Sequence, residues 1–293
     1  MNQNRLPYVS IIIPTYKDWA RLQLCLKALC LQTYPSSSFE VIVVNNNADD
    51  LVPDDLICPV STTLINEIKP GSYAARNAGL AISKGQIIGF TDSDCIPDIN
   101  WIANAVSMMS AEGYVDRITG PVNIFMESGG SVFAWEFESI TAFNQKRNVK
   151  KGVSVTANLF VKKTAFDQVG NFDSALYSGG DIEWNKRATA LGLGIVFSDD
   201  VLVMHPARSS FREILAKSRR VAGGGYVTAK RQKRLVLYIL RHLVPPVRYI
   251  GVLINDEGNN IKDVVFAGLV FWCLKLMMVF EILRLHLGGK PVR

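Results

Sequence analysis

Cysteine pairs and clusters are missing from this sequence. Its five cysteines are an odd number, and none forms a CxxC pair or stands at a zinc-ligand spacing from a histidine. The sequence therefore argues against a disulfide framework and a structural zinc site, and it fits a reducing cytoplasm. Residues 1–7 are polar and lack the apolar core of a secretory signal, so we expect no signal peptide.

Internal repeats and low-complexity tracts are also absent, and the composition is that of a folded protein. Of the 293 residues, 48% are hydrophobic and 20% are charged, which is enough apolar material to bury a core. We expect one large domain or two small ones.

Acidic residues are nearly absent from one segment. Between His205 and Ile250 there are eleven Lys or Arg and a single acid, Glu213, whereas the whole chain carries a net charge of +6. A basic segment of this kind can face nucleic acid or anionic lipid, or it can be the solvated face of a helix.

Short apolar runs alternate with helical patterns along the first part of the chain. The predicted strands are Val9–Ile13, Phe39–Val44 and Gln86–Thr91, followed later by Val153–Val161, Gly194–Phe197 and Val201–Met204. The predicted helices are Trp19–Gln32, Ala74–Ile82 and Trp101–Ser110, with Asp18 and Ser72 as caps of the first two. This order predicts an α/β fold with a parallel sheet flanked by helices.

Polar residues follow each of the first three predicted strands. They are Thr15, the run Asn45–Asn47 and the run Asp92–Asp94. Ligands of such sheets bind beyond the carboxyl ends of the strands, so we expect these residues at one crevice.

Asp92 and Asp94 are candidate metal ligands. At the strand period of two, their carboxylates project the same way and repel each other. Mg²⁺ or Mn²⁺ resolves this conflict, because these ions take one or two carboxylates together with substrate phosphates. The alternative is a solvated acidic turn.

Two glycine-containing loops are candidate binding and catalytic segments. The first passes Lys69 and Gly71 and enters the helix that carries Arg76, which predicts a diphosphate site made of backbone N–H groups and two cations. The second precedes Asp181 and Glu183, either of which can take a proton from a hydroxyl group. The alternatives are an ordinary helix start and an acidic helix N-terminus.

Seven segments carry a family resemblance, in this order: Val9–Tyr16, Phe39–Val44, Ala75–Leu80, Phe90–Asp94, Thr156–Phe160, Gly170–Asp173 and Gly180–Trp184. Together they resemble the family 2 glycosyltransferases, which have the GT-A fold, over about residues 8–205. The resemblance implies an inverting enzyme that uses a nucleotide-diphosphate sugar and a divalent metal, Mn²⁺ or Mg²⁺.

The resemblance also implies roles for particular residues. Asp181 would be the general base, Asp94 would hold the metal, Asp92 would contact the ribose or the metal, and His205 would be a third ligand or a structural histidine. The implied nucleotide-sugar contacts are Pro14, Thr15, Tyr16, Asn45, Lys69, Arg76, Asn77, Asp92 and Ser93. The implied acceptor contacts are Gly180, Glu183 and Trp184.

Two positions depart from the family. Asn45 stands where the family usually has an Asp that contacts the base, and an amide can accept a hydrogen bond from a pyrimidine but carries no charge. Gly180 stands where the family often has Glu, so the acceptor contact is expected to differ.

The C-terminal part of the sequence predicts a separate helical segment. We expect a catalytic domain at residues 1–210, with a donor half at 1–117 and an acceptor half at 118–210, and a basic and apolar extension at 211–293.

Two apolar stretches lie within this extension. Leu235–Ile254 is interrupted by Pro245 and Pro246, and Val264–Phe280 falls just short of the ~20 residues of a bilayer span. Basic and apolar stretches together favour attachment to an anionic membrane at the inner face of the cell membrane. The alternatives are packing on protein and a true span.

The expected function is transfer of a sugar to a hydroxyl of a glycan or lipid-linked acceptor, in cell-surface or exopolysaccharide synthesis. One alternative is a nucleotidyltransferase that makes nucleotide-sugars, but Pro14–Lys17 replaces the glycine- and basic-rich loop expected after its first strand. Another is a non-catalytic subunit that binds nucleotide-sugar, which the acids at Asp92, Asp94 and Asp181 argue against. A nucleic-acid partner is not expected, because the basic stretch lacks interleaved aromatics. Nothing in the sequence specifies an oligomeric state.

Overall fold

A computed structural model describes residues 6–47, 49–111, 115–176, 178–254 and 260–290. Ten strands are described: β1 Val9–Thr15, β2 Phe39–Asn45, β3 Thr62–Asn66, β4 Ile87–Thr91, β5 Ile96–Pro97, β6 Val115–Thr119, β7 Val122–Phe125, β8 Asn158–Lys162, β9 Gly194–Phe197 and β10 Val203–Pro206. The first six helices described are α1 Trp19–Cys30, α2 Ser72–Ile82, α3 Trp101–Ala111, α4 Val132–Thr141, α5 Gln145–Val149 and α6 Lys163–Val169. The remaining five are α7 Gly180–Ala190, α8 Phe211–Arg231, α9 Leu235–Leu243, α10 Val247–Ile254 and α11 Ile261–His286.

The main sheet has seven strands in the order β3-β2-β1-β4-β8-β6-β9. β1 runs parallel to β2 and β4, β2 runs parallel to β3, and β6 runs parallel to β9. β8 is antiparallel to both of its neighbours. The expected mainly parallel α/β sheet is thus confirmed, with one reversed strand in its middle. A second sheet has the order β5-β10-β7.

Every residue of β1 and β2 is buried, as expected for strands covered by helices on both faces. The helices of this region pack apolar side chains on the sheet, among them Leu26 of α1 and Trp101 of α3. Polar residues at the strand ends are therefore held on a rigid scaffold.

Two of the predicted helix caps differ from the structure. Asp18 occupies the position before α1, but its side chain makes no capping hydrogen bond. Ser72 is the first residue of α2, and Gly71 precedes it with φ of 118°, a backbone conformation that favours glycine. The loop before α2 is therefore shaped by its glycine.

The chain divides into two compact units. The first comprises residues 1–123, 143–175 and 180–205, and the second comprises 124–142, 176–179 and 206–293. The first unit contains the seven-stranded sheet and all the site residues named above. The expected boundary at residue 210 stays a prediction, and the segment 124–142 groups with the C-terminal helices.

The second unit is built mainly of helices. Its cores join α4, α8 and α11 in one cluster and α8, α9 and α11 in another. Buried Glu138 pairs with Arg208 and with Lys217, the latter at 3.2 Å, and buried Glu281 pairs with Arg219 at 3.1 Å. Part of the basic segment is therefore neutralised by acids from outside it.

One described helix, α11, is long and apolar enough to cross a membrane, with a mean hydropathy of 2.0 and 39% of its most apolar window buried. α9 and α10 pass the same test only as a pair, and they are bent by 58° at the break. The break contains Pro245 and Pro246, as the sequence predicts.

Candidate functional site

The carboxyl ends of β1 and β2 lie side by side, with Thr15 paired to Asn45. Thr15 is 2% exposed, and among the described residues its hydroxyl has no hydrogen-bond partner. Tyr16, which follows Pro14 and Thr15 in the chain, is 60% exposed. An orphaned buried hydroxyl beside an exposed aromatic ring fits a surface that a ligand completes.

The Asn45 amide is engaged within its own loop. Its Nδ2 donates to the carbonyls of Asn47 at 2.9 Å and Asp50 at 3.2 Å, and its Oδ1 accepts from the Asn47 N–H at 3.0 Å. A carbonyl oxygen has a second lone pair, so Oδ1 retains capacity for one more hydrogen bond. The predicted contact with a base stays a prediction.

Asn46 belongs to the polar run that the sequence places at the crevice, but the sequence predicts no individual role for it. Its Nδ2 donates to the carbonyls of Glu67 and Lys69, each at 2.8 Å, and its Oδ1 accepts from the Gly71 N–H at 2.7 Å. One side chain thus fixes the loop that enters α2. The Lys69 ammonium group donates to Ser174 Oγ at 2.6 Å. The signal in the sequence was the asparagine run after β2.

α2 brings two predicted donor contacts to the site. Arg76 is 3% exposed and pairs with Asp92, and among the described residues its Nε has no partner. Asn77 exchanges two hydrogen bonds with the backbone of Phe172, at 2.9 and 3.1 Å. The Arg76 guanidinium therefore keeps unused hydrogen-bonding capacity, whereas the Asn77 amide fastens a loop.

The Asp92–Asp94 segment differs from the sequence expectation. β4 ends at Thr91, and Asp92, Ser93 and Asp94 lie in the turn that follows, so the period-two argument for their shared direction is wrong. Asp92 pairs with Arg76, while Asp94 Oδ2 lies 3.4 Å from His205 Nε2. The two carboxylates thus have different partners.

Asp94, Cys95 and His205 place their ligand atoms within 4.8 Å of one another. Burial and the nearby carboxylates raise the pKa of Cys95 well above its usual value, so its sulfur stays a neutral thiol, a poor ligand. Burial raises the pKa of Asp94, an effect that His205 opposes and Asp92 reinforces. One carboxylate and one imidazole suit Mn²⁺ better than Mg²⁺, which prefers oxygen ligands, and they leave positions for phosphate oxygens.

Asp181 lies at the start of α7 with its two oxygens in different environments. Oδ1 accepts from Tyr73 Oη at 3.1 Å and from the Ile182 N–H at 2.8 Å, whereas Oδ2 has only a long contact of 3.4 Å from the Thr156 N–H. Burial raises the pKa of Asp181, and the hydrogen bonds and Arg76 oppose that rise. A carboxylate with a raised pKa and a weakly bonded oxygen is suited to accept a proton.

Of the expected acceptor contacts around Asp181, Glu183 is half-buried, whereas Gly180 and Trp184 are buried. Glu183 pairs with Arg187 through contacts of 2.8 and 3.1 Å. Trp184 is fully buried, stacks on Phe166 with ring centroids 4.6 Å apart, and donates to the carbonyl of Gly170 at 2.7 Å. The Trp184 side chain is therefore packed inside the protein, and its expected role as an acceptor contact stays a prediction.

Comparison with known families and proteins gives a consistent result. The model of the family described as "Glycosyl transferase family 2" matches residues 10–170. Glycosyltransferase AglE of Haloferax volcanii is 37% identical over 288 residues, which cover 92% of this chain and 93% of that protein. A pre-mycofactocin glycosyltransferase of Mycobacterium tuberculosis is 24% identical over 76% of this chain and 48% of that protein.

Solved structures resemble the fold. Mannosyltransferase PcManGT from Pyrobaculum calidifontis, in complex with GDP-Man and Mn²⁺, has a TM-score of 0.59 at 16% identity, over 96% of this chain and 87% of that one. S. aureus TarS 1-349, in complex with UDP, has a TM-score of 0.54 at 18% identity, over 73% of this chain and 64% of that one. These likenesses confirm the expected GT-A type of α/β fold.

Proposed function

This chain belongs to glycosyl transferase family 2 and is a glycosyltransferase, and from that starting point we propose that it moves a sugar from a nucleoside-diphosphate donor to a hydroxyl group with inversion. The observation that carries the proposal is the position of Tyr73. Its hydroxyl contacts Asp181, and Arg76 lies 5.5 Å from the centre of its ring. A candidate base and a candidate phosphate-binding cation therefore belong to one cluster.

The donor would lie along the ends of β1, β2 and β4. Tyr16 offers an exposed ring to a base, and Thr15 and Arg76 each have a polar atom free to pair with the ligand. The two similar structures are complexes with GDP-Man and with UDP, so both guanine and uracil donors are candidates for this chain.

Asp94 and His205 would hold the divalent metal, with Asp92 at the ribose or the metal. Of the two expected ions the donor set fits Mn²⁺ better, because it combines a carboxylate with a nitrogen ligand, whereas Mg²⁺ prefers oxygen alone; the remaining positions are left to phosphate. A cation bound there would neutralise charge on the departing diphosphate.

Asp181 would act as the general base through Oδ2, the less engaged of its oxygens. The acceptor oxygen forms a bond to the anomeric carbon while its proton passes to Oδ2. The bond between the anomeric carbon and the diphosphate oxygen breaks, and the nucleoside diphosphate leaves with the electron pair. Attack from the face opposite the diphosphate gives inversion.

The second unit would hold the enzyme at the cytoplasmic face of the membrane, near a lipid-linked or glycan acceptor of cell-surface synthesis. Support comes from apolar side chains that α9 and α10 leave exposed, such as Val236 at 69%, Leu237 at 66% and Val247 at 68%. Basic residues lie close to them in sequence, including Arg234 and Arg241. Apolar burial and attraction to anionic headgroups would then act together.

The test is a donor panel. The purified full-length protein is incubated with GDP- and UDP-sugars, with Mn²⁺ or Mg²⁺ and a membrane-lipid extract as acceptor, and the release of nucleoside diphosphate is measured. Metal-dependent release with one donor supports the proposal. Release that proceeds fully in EDTA contradicts the metal assignment, and no release with any donor contradicts the donor class.

A further inference from the structure

The departure at Gly180 has a structural counterpart in α2. A Cβ atom built on Gly180 would lie 2.7 Å from Cε2 of the Tyr73 ring and 2.8 Å from its Cδ2, closer than real Cβ contacts allow. Gly180 does not have a positive φ, so its backbone would accept another residue. The Tyr73 ring, and not the backbone, is what requires glycine at this position.

Tyr73 is also placed to act on the neighbouring carboxylate. It is 6% exposed, and its hydroxyl donates to Asp181 Oδ1 at 3.1 Å. Burial and the nearby Asp181 raise the pKa of Tyr73, with Arg76 opposing, so the hydroxyl keeps its proton and remains a donor. The ring is fixed by Arg76 on α2 and by Phe172, whose ring centroid is 5.9 Å away.

We propose that Tyr73 is a positioning residue for Asp181, and that Tyr73 and Gly180 form a matched pair in which the tyrosine ring fills the space of a side chain at position 180. Tyr73 holds Oδ1, which leaves Oδ2 directed to the acceptor. The proposal rests on the proposed role of Asp181 as the base. It explains why position 180 holds glycine, because a side chain there would displace the Tyr73 ring that orients the Asp181 carboxylate.

The first test is Tyr73→Phe, which keeps the ring and removes the hydroxyl. Because the lost hydrogen bond favours the ionised carboxylate, the pKa of Asp181 should rise, and the acid limb of the kcat profile should move to higher pH. The value of kcat should fall by roughly tenfold, the scale of one hydrogen bond to a charged group, while KM for the donor stays unchanged. The groups that face Asp181 are Tyr73 and Arg76, and Arg76 is intact in this variant.

Tyr34→Phe is the matched control. Tyr34 is 5% exposed and its hydroxyl donates to the carbonyl of Pro7 at 2.5 Å, so this variant also loses a buried tyrosine hydrogen bond. It should lower the melting temperature without moving the pH profile. If Tyr73→Phe behaves like Tyr34→Phe, with lower stability and an unmoved profile, the positioning role is overturned.

The second test does not depend on turnover. The carboxyl carbon of Asp181 is titrated by ¹³C NMR in the full-length protein and in Tyr73→Phe, and its resonance is assigned by its loss in Asp181→Asn. A higher pKa in Tyr73→Phe supports the proposal, and an equal pKa overturns it. If the pKa moves but Asp181→Asn retains full activity, the contact is real and the proposed base is wrong, so the two failures are distinguishable.

The third test addresses the matched pair. Gly180→Ala should lower the melting temperature when Tyr73 is present, because the added methyl meets the ring. In the Tyr73→Ala background the same substitution should leave the melting temperature unchanged or raise it, because alanine is favoured over glycine in a helix. An equal loss in both backgrounds overturns the pairing.

Discussion

At the residue scale, two carboxylates two positions apart meet different partners. Asp92 pairs with Arg76, and Asp94 lies 3.4 Å from His205. Asp94 therefore sits beside the other proposed metal ligand, whereas Asp92 balances the charge of the arginine that we propose binds the diphosphate. Loss of either carboxylate should impair the donor site: loss of Asp94 through the metal, and loss of Asp92 through the unpaired charge of Arg76.

Asp94→Ala should lower kcat by roughly 100-fold or more, since even outer partners of metal ligands are worth 10- to 100-fold. It should also weaken nucleotide binding measured by calorimetry in Mn²⁺. The control is Asp199→Ala, which removes an exposed carboxylate paired with Lys146 at 3.6 Å. Unchanged turnover in Asp94→Ala, or full wild-type activity in EDTA, contradicts the metal site.

Asp181→Asn keeps the size of the side chain and removes the proton acceptor. Its kcat should fall by roughly 100-fold or more, the scale of general-base catalysis, while donor binding survives. In the wild type the base must be ionised, so the rate should fall as pH drops through the pKa that burial has raised. Glu183→Gln is the comparison, and if Asp181→Asn stays near wild-type activity, Glu183 becomes the better candidate.

At the element scale, α7 is anchored by a fully buried arginine of β6. Arg117 donates to the carbonyl of Leu193 at 2.6 Å, to Thr189 Oγ1 at 3.0 Å and to Asn185 Oδ1 at 2.6 Å. Asn185 in turn donates to the carbonyl of Asp181 at 3.0 Å. The helix that carries the proposed base is thus fixed to the sheet by hydrogen bonds.

Arg117→Met should destabilise the protein by about 3 kcal/mol, because several buried acceptors lose their donor at once. The measurement is chemical denaturation followed by tryptophan fluorescence. Lys146→Met breaks an exposed ion pair with Asp199 and should cost about 0.5 kcal/mol or less. Equal losses in the two variants would mean that the buried network does not anchor α7.

The sequence predicts best the strands whose apolar residues by themselves indicate a buried strand. β1, β2 and β4 consist mostly of apolar residues, and all their residues are buried. β8 was expected from Val153, but it begins at Asn158. Ser154 and Thr156 before it are buried polar residues in the preceding loop, which an apolar pattern does not reveal.

At the site, too, local motifs can be recognised in the sequence, whereas contacts between distant residues cannot. The acids Asp92, Asp94 and Asp181 stand in recognisable local motifs, so the sequence could propose them as site residues. Tyr73 acts on a residue 108 positions away, and no local pattern encodes that contact. The direction of the Asp92 and Asp94 side chains was also beyond the sequence, because it depends on β4 ending at Thr91.

At the scale of the whole molecule, positive charge and exposed apolar side chains both concentrate toward the C-terminus. Some of the basic residues are paired internally, as Arg219 is with Glu281 at 3.1 Å. Exposed apolar side chains on α9 and α10 have the chemistry of a lipid-facing surface. We therefore expect membrane binding to depend on specific exposed residues of these helices as well as on total charge.

Vesicle co-sedimentation of the full-length protein tests whether the exposed residues of α9 and α10 bind a membrane. Binding to vesicles that contain anionic lipid should fall only partly as salt rises, because salt screens the contribution of the basic residues, about 1 kcal/mol each near the surface, and leaves apolar burial intact. Leu237→Asn combined with Leu240→Asn, two residues that are 66% and 52% exposed, should lose most of the salt-resistant binding.

Val60→Asn provides the matched control, because Val60 is 93% exposed and belongs to the first unit. It removes a comparable exposed aliphatic side chain and should pellet like the wild type. If the wild type stays in the supernatant with anionic vesicles, the apolar faces of α9 and α10 are covered by protein and the membrane proposal is wrong. If it pellets and is released by detergent but not by salt or carbonate, α11 crosses the bilayer, because only an inserted helix resists the removal of electrostatic and peripheral contacts.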